Sequence, residues 1–400
     1  MTQPTTPTTP TAFGTSRPVW RAPAARRDRS FPPAPAAAVR AFHIALPGYA
    51  PTPLTELPSV AAGLGVARVF VKDESDRFGL PAFKILGASW AVHRLLERRR
   101  ERGDSGPLRL VTATDGNHGR AVARTARWYG ASAHVLVTAE VHPDAVAAIA
   151  AEGAEVTTVP GDYDTAVRQA AREAARSGAY LLQDTALPGQ DGQAAEIPRW
   201  IAEGYSTLFA EIDVQLAAAG AVPAGAGPGL LAVPVGVGSL AQAAVTHHRG
   251  RRTTGPRTGP RTALLAVEPL SAACLLAALR AGHPLTVATG PTAMAGLNCG
   301  TVSALAWPLL SAGLDAAVAV TEARCAAALR ELTALGVTAG PCGAAALAGV
   351  RTLTAESRAE STAENAADGG GAVPLLGPDT TVVLLSTEGA DANPHLSGTP

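Results

Sequence analysis

Of the 33 basic side chains in this 400-residue chain only two, Lys72 and Lys84, are lysines, which leaves 31 arginines. The difference is chemical: a guanidinium keeps its proton and cannot form an imine, whereas an amine can lose its proton and attack a carbonyl. Lys84 stands in Phe83-Lys84-Ile85-Leu86-Gly87-Ala88, after the turn-forming Gly79-Leu80-Pro81 and at the start of an apolar stretch of helical length. A helix N-terminus disfavours a cation there and, with desolvation, is expected to lower the amine's pKa toward the free base. Lys72 lies in Val71-Lys72-Asp73-Glu74-Ser75-Asp76-Arg77. The mixed charges around it point to an ion-paired lysine at a strand end rather than to a nucleophile.

Three further stretches place polar groups where a strand turns into a helix or ends. Gly236-Val237-Gly238-Ser239-Leu240 follows an apolar run and precedes a helical pattern. Glycines let successive N–H groups converge, and the helix N-terminus adds partial positive charge, so this turn reads as a cradle for one phosphate monoester. It lacks the Gly-Lys-Ser/Thr ending of a nucleoside-triphosphate loop and the third glycine of a dinucleotide fingerprint. A purely structural turn is the alternative. Thr114-Asp115-Gly116-Asn117-His118-Gly119 offers a hydroxyl, an amide and backbone N–H groups around one concavity, suited to a carboxylate and a phenolic oxygen. Asp115 also reads as an N-terminal helix cap, and His118 as a packed or capping residue. Leu384-Leu385-Ser386-Thr387-Glu388-Gly389 ends an apolar strand in hydroxyls.

These residues need a scaffold, and the chain supplies one. Short apolar runs at 67–71, 108–113, 133–137, 155–159 and 179–183 read as buried strands, with alanine-rich stretches such as 85–100 and 120–129 between them as helices. The second half repeats the alternation with 230–235, 263–267, 316–320 and 381–385. That grammar predicts parallel strands covered on both faces by crossover helices. Residues 1–40, rich in Pro, Ala and Arg, are expected to form a disordered arm, and 249–261 and 355–379 to be surface loops. Zero formal net charge gives no attraction for nucleic acid or an anionic membrane surface. No apolar run reaches membrane-span length, no signal peptide is apparent, and Cys274, Cys299, Cys325 and Cys342 show neither a disulfide framework nor metal-ligand spacing. A soluble cytoplasmic protein without a metal is expected.

Taken in order, the stretches ARVFVKDESDRFGLPAFKILGAS, TATDGNHGRAVA, LLQDTA, IPRWIAEGYSTL, PVGVGSLAQA, TAMAGLNCGT and LLSTEGA resemble the tryptophan-synthase-like (fold type II) pyridoxal-phosphate enzymes. Within them the chain resembles the diaminopropionate ammonia-lyase family. The resemblance spans residues 67–390 and implies a tryptophan-synthase β-subunit-like α/β fold. That fold has two parallel-sheet αβα subdomains with the cofactor between them, the smaller at about 108–200 inserted in a larger one within a catalytic unit of 41–400. It implies pyridoxal 5′-phosphate on Lys84 as a Schiff base with Phe83 beside it, and Asn117 on the phenolic oxygen. Gly236, Val237, Gly238, Ser239 and Leu240 would hold the phosphate, and Ser386 would face the pyridine nitrogen, or Thr387 if the register slips by one. Thr114, Asp115 and Asp184 would meet the substrate, Asp115 in proton transfer and Asp184 at the distal amine. The implied reaction is β-elimination of 2,3-diaminopropionate to pyruvate and two ammonia, in a homodimer. Serine/threonine dehydratase or β-replacement chemistry on the same fold is the rival, and a cofactor-binding pseudoenzyme a remoter one. Two stretches depart from the family pattern. Leu187-Pro188-Gly189-Gln190 stands where Trp-Glu-Gly-Tyr is usual, and Gly340-Pro341-Cys342-Gly343 where many relatives read Gly-Glu-Ser-Gly. Both are expected near the mouth of the site.

Overall fold

The computed structural model describes residues 18–23, 31, 35–114, 116–186, 189, 192–250, 261–364 and 375–393. In chain order its strands are β1 (Val19–Arg21), β2 (Leu54–Glu56), β3 (Arg68–Asp73), β4 (Arg109–Ala113), β5 (Ser132–Thr138) and β6 (Glu155–Val159). They continue with β7 (Tyr180–Leu181), β8 (Leu230–Pro234), β9 (Ala263–Pro269), β10 (Ala316–Val320) and β11 (Thr381–Ser386). They form a seven-stranded sheet, β1-β10-β9-β8-β11-β3-β2, and a four-stranded sheet, β6-β5-β4-β7. The smaller sheet is wholly parallel. In the larger one only the edge strands β1 and β2 run antiparallel.

The central strands are apolar throughout because both faces are covered. Alternate residues serve different layers, as the two-residue period of a strand demands. Leu231, Val233, Val383 and Leu385 join one core with Phe83, Ile85 and Tyr205. Leu230, Ala232, Val382 and Leu384 join the other, with Ala344–Ala348 of the helix Pro341–Glu364. The helix Lys84–Glu101 is seated by close backbone approach. A Cβ on Gly204 would stand 2.4 Å from the Leu86 carbonyl oxygen, and one on Gly87 2.6 Å from the Tyr205 ring.

Two segments depart from the sequence reading. Within the expected arm of 1–40, Val19–Arg21 pairs with β10, and Ala36–Ala45 is helical with Val39 and His43 buried. A partner edge and one buried helix stripe suffice to order residues whose composition alone carries no period. The first part of the expected loop 355–379 is helix, since Pro341–Glu364 continues through it. Residues 251–260 of the other expected loop lie outside the described residues.

Beneath the end of β3 and the turn that follows lies a buried ionic cluster. Lys72 Nζ donates to Glu211 Oε2 at 2.6 Å, to the Thr52 carbonyl at 2.8 Å and to Gln215 Oε1 at 2.9 Å. Arg77 forks onto Glu74 and Glu211, with contacts of 2.7–2.9 Å. Lys72, Glu74, Arg77 and Glu211 are all at most 2% exposed. The acidic-basic run 72–77 thus pins β3 to the helix Ser206–Ala218, and Lys72 is the ion-paired lysine its neighbours suggested.

Candidate active site

The loops leaving the carboxyl ends of β4, β7, β8 and β11 converge on one cavity. This is where parallel α/β sheets collect ligands. Its walls include Phe83, Lys84, Thr114, Asn117, Asp184, Gly236 through Leu240, Thr387 and Glu388. Asp115 lies outside the described residues.

Lys84 opens its helix, and its Nζ meets Asp184 Oδ2 at 2.5 Å. The Phe83 ring lies 5.3 Å and the Tyr205 ring 6.0 Å from that nitrogen. The charge state differs from the sequence expectation. Burial does pull the Lys84 amine down, but the Asp184 carboxylate outweighs it and holds the amine above its ordinary value. Burial likewise pushes the Asp184 carboxyl up, and the Lys84 and His118 charges overcome this to hold it at about 2. A partner 100 positions away in the chain decides a question that the local helix dipole does not.

Asp184 is anchored to the glycine loop. Ser303 donates its N–H to the Val237 carbonyl at 2.9 Å and accepts from the Ala186 N–H at 3.0 Å, while Ala304 donates to the Ala186 carbonyl at 3.0 Å. The loop itself turns at Gly238, whose φ of +98° suits glycine. A Cβ there would meet Leu310 Cδ1 at 2.7 Å, so the space denied to a side chain is packed protein. Among the described residues, the N–H groups of Val237, Gly238, Ser239 and Leu240 meet no backbone carbonyl, and they border the cavity at the N-terminus of the helix Ser239–Arg249. Such donors match an anionic oxygen cluster.

In the loop after β4, Thr114 Oγ1 accepts the N–H groups of Gly116 and Gly119, each at 3.0 Å. It thereby caps the helix Asn117–Trp128, the structural role that the sequence also allowed Asp115. Asn117 Nδ2 donates to Glu388 Oε2 at 2.6 Å. His118 uses Nε2 on the Leu182 carbonyl at 2.8 Å, and burial lowers its pKa.

At the end of β11 the two hydroxyls part. Ser386 turns toward the helix Pro341–Glu364, where a Cβ on Gly343 would lie 2.6 Å from its Oγ. Thr387 borders the cavity, and its buried Oγ1 has no hydrogen-bond partner in the structure. Of the two hydroxyls it is Thr387, and not Ser386, that borders the cavity, because strand alternation sends the two side chains to opposite faces. Glu388 was not anticipated. A carboxylate directly after the strand's hydroxyl pair, where a solvated turn residue would be ordinary, was the available signal. Tyr163, Tyr205 and Cys299 were also missed; Tyr163 and Cys299 border the cavity, and Tyr205 lies behind Lys84.

A primary amine, a ring wall at Phe83, a set of unpartnered N–H groups and an unpartnered buried hydroxyl fit a phosphorylated pyridine aldehyde. Among the described residues no group of His, Cys, Asp and Glu fits a metal ion, and no helix is long and apolar enough to cross a membrane. The pyridoxal-phosphate dependent enzyme family matches residues 45–364. The diaminopropionate ammonia-lyase of Salmonella typhimurium is 38% identical over 298 residues, 68% of this chain and 69% of that protein. That of Escherichia coli is 30% identical over 368 residues, 88% of this chain and 87% of the relative. The crystal structure of the Escherichia coli enzyme in complex with an aminoacrylate-PLP azomethine reaction intermediate matches with a TM-score of 0.79 at 29% identity, covering 94% of this chain and 95% of that one. The architecture is therefore that of fold type II, and the chain belongs to the pyridoxal-phosphate-dependent enzymes and, among them, to the diaminopropionate ammonia-lyase family.

Proposed function

We propose that this chain is a carbon–nitrogen lyase that converts 2,3-diaminopropionate and water to pyruvate and two ammonia. The observation that carries the proposal is Asp184. It is a buried carboxylate that already holds an ammonium, that of Lys84, at 2.5 Å inside the cavity. When the Lys84 amine serves as attachment point and base, Asp184 is the group placed to take the substrate's second ammonium instead.

Pyridoxal phosphate, when bound, supplies the electron sink that stabilises negative charge at a substrate's Cα. The chain's residues do the rest. Val237 through Leu240 would hold the phosphate with backbone N–H groups, and Asn117 would donate to the phenolic oxygen. Thr387 would offer a neutral hydroxyl to the ring nitrogen, which would not force protonation there; that would weaken the sink, disfavour transamination and suit expulsion of a good β-leaving group. Lys84 anchors the cofactor and removes the Cα proton of an L-substrate. Asp115 is assigned to proton transfer with a D-substrate. We also assign the protein to the cytoplasm as a homodimer. Four free cysteines, all buried, suit a reducing compartment.

Pyruvate release from 2,3-diaminopropionate, serine and threonine tests the proposal. The diamino acid should be the best substrate, and a preference for serine or threonine would replace this reading by a dehydratase. Asp115→Asn should lower turnover of the D-isomer by about 10²–10⁴-fold and spare the L-isomer, since Lys84 remains.

A further inference from the structure

We infer that Glu388 is a positioning residue that fixes the amide of Asn117, so that the nitrogen and not the oxygen of that side chain serves the cofactor's phenolic oxygen. The inference rests on the reading of Asn117 given above. Glu388 is 3% exposed and borders the cavity, yet each of its hydrogen-bond partners is neutral. Its Oε2 accepts from Asn117 Nδ2 at 2.6 Å. Its Oε1 accepts from the Cys342 N–H at 3.1 Å and from Asn393 Nδ2 at 2.9 Å. Burial raises the Glu388 carboxyl and these donors pull it back; with donors on both oxygens, each oxygen accepts, and the carboxyl selects the donor end of the amide beside it. The second N–H of Asn117 is left for another acceptor.

The surroundings are shaped around this carboxylate. The departure Gly340-Pro341-Cys342-Gly343, with no obvious role in sequence, wraps it. A Cβ on Gly340 would stand 2.9 Å from Glu388 Oε1, and one on Gly343 2.8 Å from the Glu388 carbonyl oxygen. Cys342 lies in the first turn of a helix of 24 residues, so the helix N-terminus also favours the anion. Glu388 follows the last strand of the large sheet, and Asn117 follows β4 of the small one. Their contact therefore sets the Asn117 amide from across the cleft between the two sheets.

The test is Glu388→Gln in the holoenzyme, alone and combined with Asn117→Ala. The readouts are the visible absorption band of the bound cofactor, the cofactor dissociation constant and the melting curve. Glutamine presents a donor as well as an acceptor, which frees the Asn117 amide to turn over. Loss of one charge-assisted hydrogen bond should weaken cofactor binding by roughly tenfold and shift the band, and both changes should vanish in the Asn117→Ala background. If Glu388→Gln changes neither the band nor affinity, or changes them equally with and without Asn117, the inference falls. Should the glutamine variant melt below the assay temperature, Glu388→Asp makes the same comparison. It keeps the charge at the helix N-terminus and withdraws it from Asn117 by one methylene. A wild-type protein with no visible band would instead overturn the cofactor reading itself.

Discussion

Lys72 and Lys84 carry the same amine, and each meets a carboxylate, Glu211 at 2.6 Å and Asp184 at 2.5 Å. Around Lys72 all three N–H positions are filled by acceptors, the side chain has no exposure, and Arg77 and Glu74 close the cluster. Around Lys84 a single carboxylate is joined by two aromatic rings, and 19% of the side chain remains accessible from the cavity. Burial pulls both amines down, yet the net direction is downward only at Lys72. An ammonium becomes structural when every donor has an owner, and it becomes available for chemistry when its one partner can be transferred to another cation.

The sharpest way to break this comparison is to remove each amine in turn. Lys84→Ala should lower turnover per folded molecule by at least the roughly 10²–10⁴-fold of a lost general base, and it also lowers the melting curve because the buried Asp184 carboxylate loses its partner. Borohydride should join the cofactor covalently to the peptide holding Lys84; label on Lys72 would reverse the two assignments. Lys72→Met should act on stability instead. Breaking a buried pair costs about 3–5 kcal/mol, here toward the lower end because Arg77 still pairs Glu211. Denaturant unfolding reads this, and turnover per folded molecule should be kept.

A finer test uses pH. Asp184 is held at about 2 in the fold, below the ordinary carboxylate value near 3.9 in an unfolded chain. Its contribution to stability is therefore present above about pH 4 and is lost as pH falls toward 2. Lys84 is raised, so its share is intact below the ordinary lysine value and fades only as pH rises through the raised one. In cofactor-free protein the stability gap between wild type and Asp184→Asn should narrow from pH 4 to pH 2. A gap independent of pH in that range would mean that the pair contributes nothing electrostatically. The smallest effect separates the neighbouring hydroxyls. Thr387→Val keeps the shape and removes the cavity hydroxyl, and it should alter the cofactor's absorption and reduce turnover modestly. Ser386→Ala should leave both unchanged.

Much of this was legible in the chain. All nine strands expected from short apolar runs exist within a few residues of their expected bounds, because buried parallel strands must be apolar on both faces. The edge strands β1 and β2 went unseen, since three residues on an edge need no apolar run. The positions that border the cavity were found where a motif marks a turn, as with Gly236–Leu240 and Asn117. What local reasoning missed was pairing. The charge on Lys84 is set by Asp184, and the neighbours of Asn117 include Glu388, 271 positions away. That Thr387 and not Ser386 borders the cavity was within reach. Val382 and Leu384 face the helix Pro341–Glu364, and counting by twos from them carries Ser386 to that side and Thr387 to the other.

The order of the large sheet has a consequence for how the protein is made. β11 lies in its interior, between β8 and β3, and pairs residue for residue from Thr381↔Arg68 to Ser386↔Asp73. A ribosome delivers that strand after the other ten described, so β3 waits without the neighbour that completes it until all of them have been made. Contacts of such sequence separation form slowly. The four-stranded sheet, drawn from 109–181 alone, has all its strands early and is expected to close first. Thr387 and Glu388 arrive with the final strand, so the nascent chain acquires its cofactor cleft only when the large sheet is sealed.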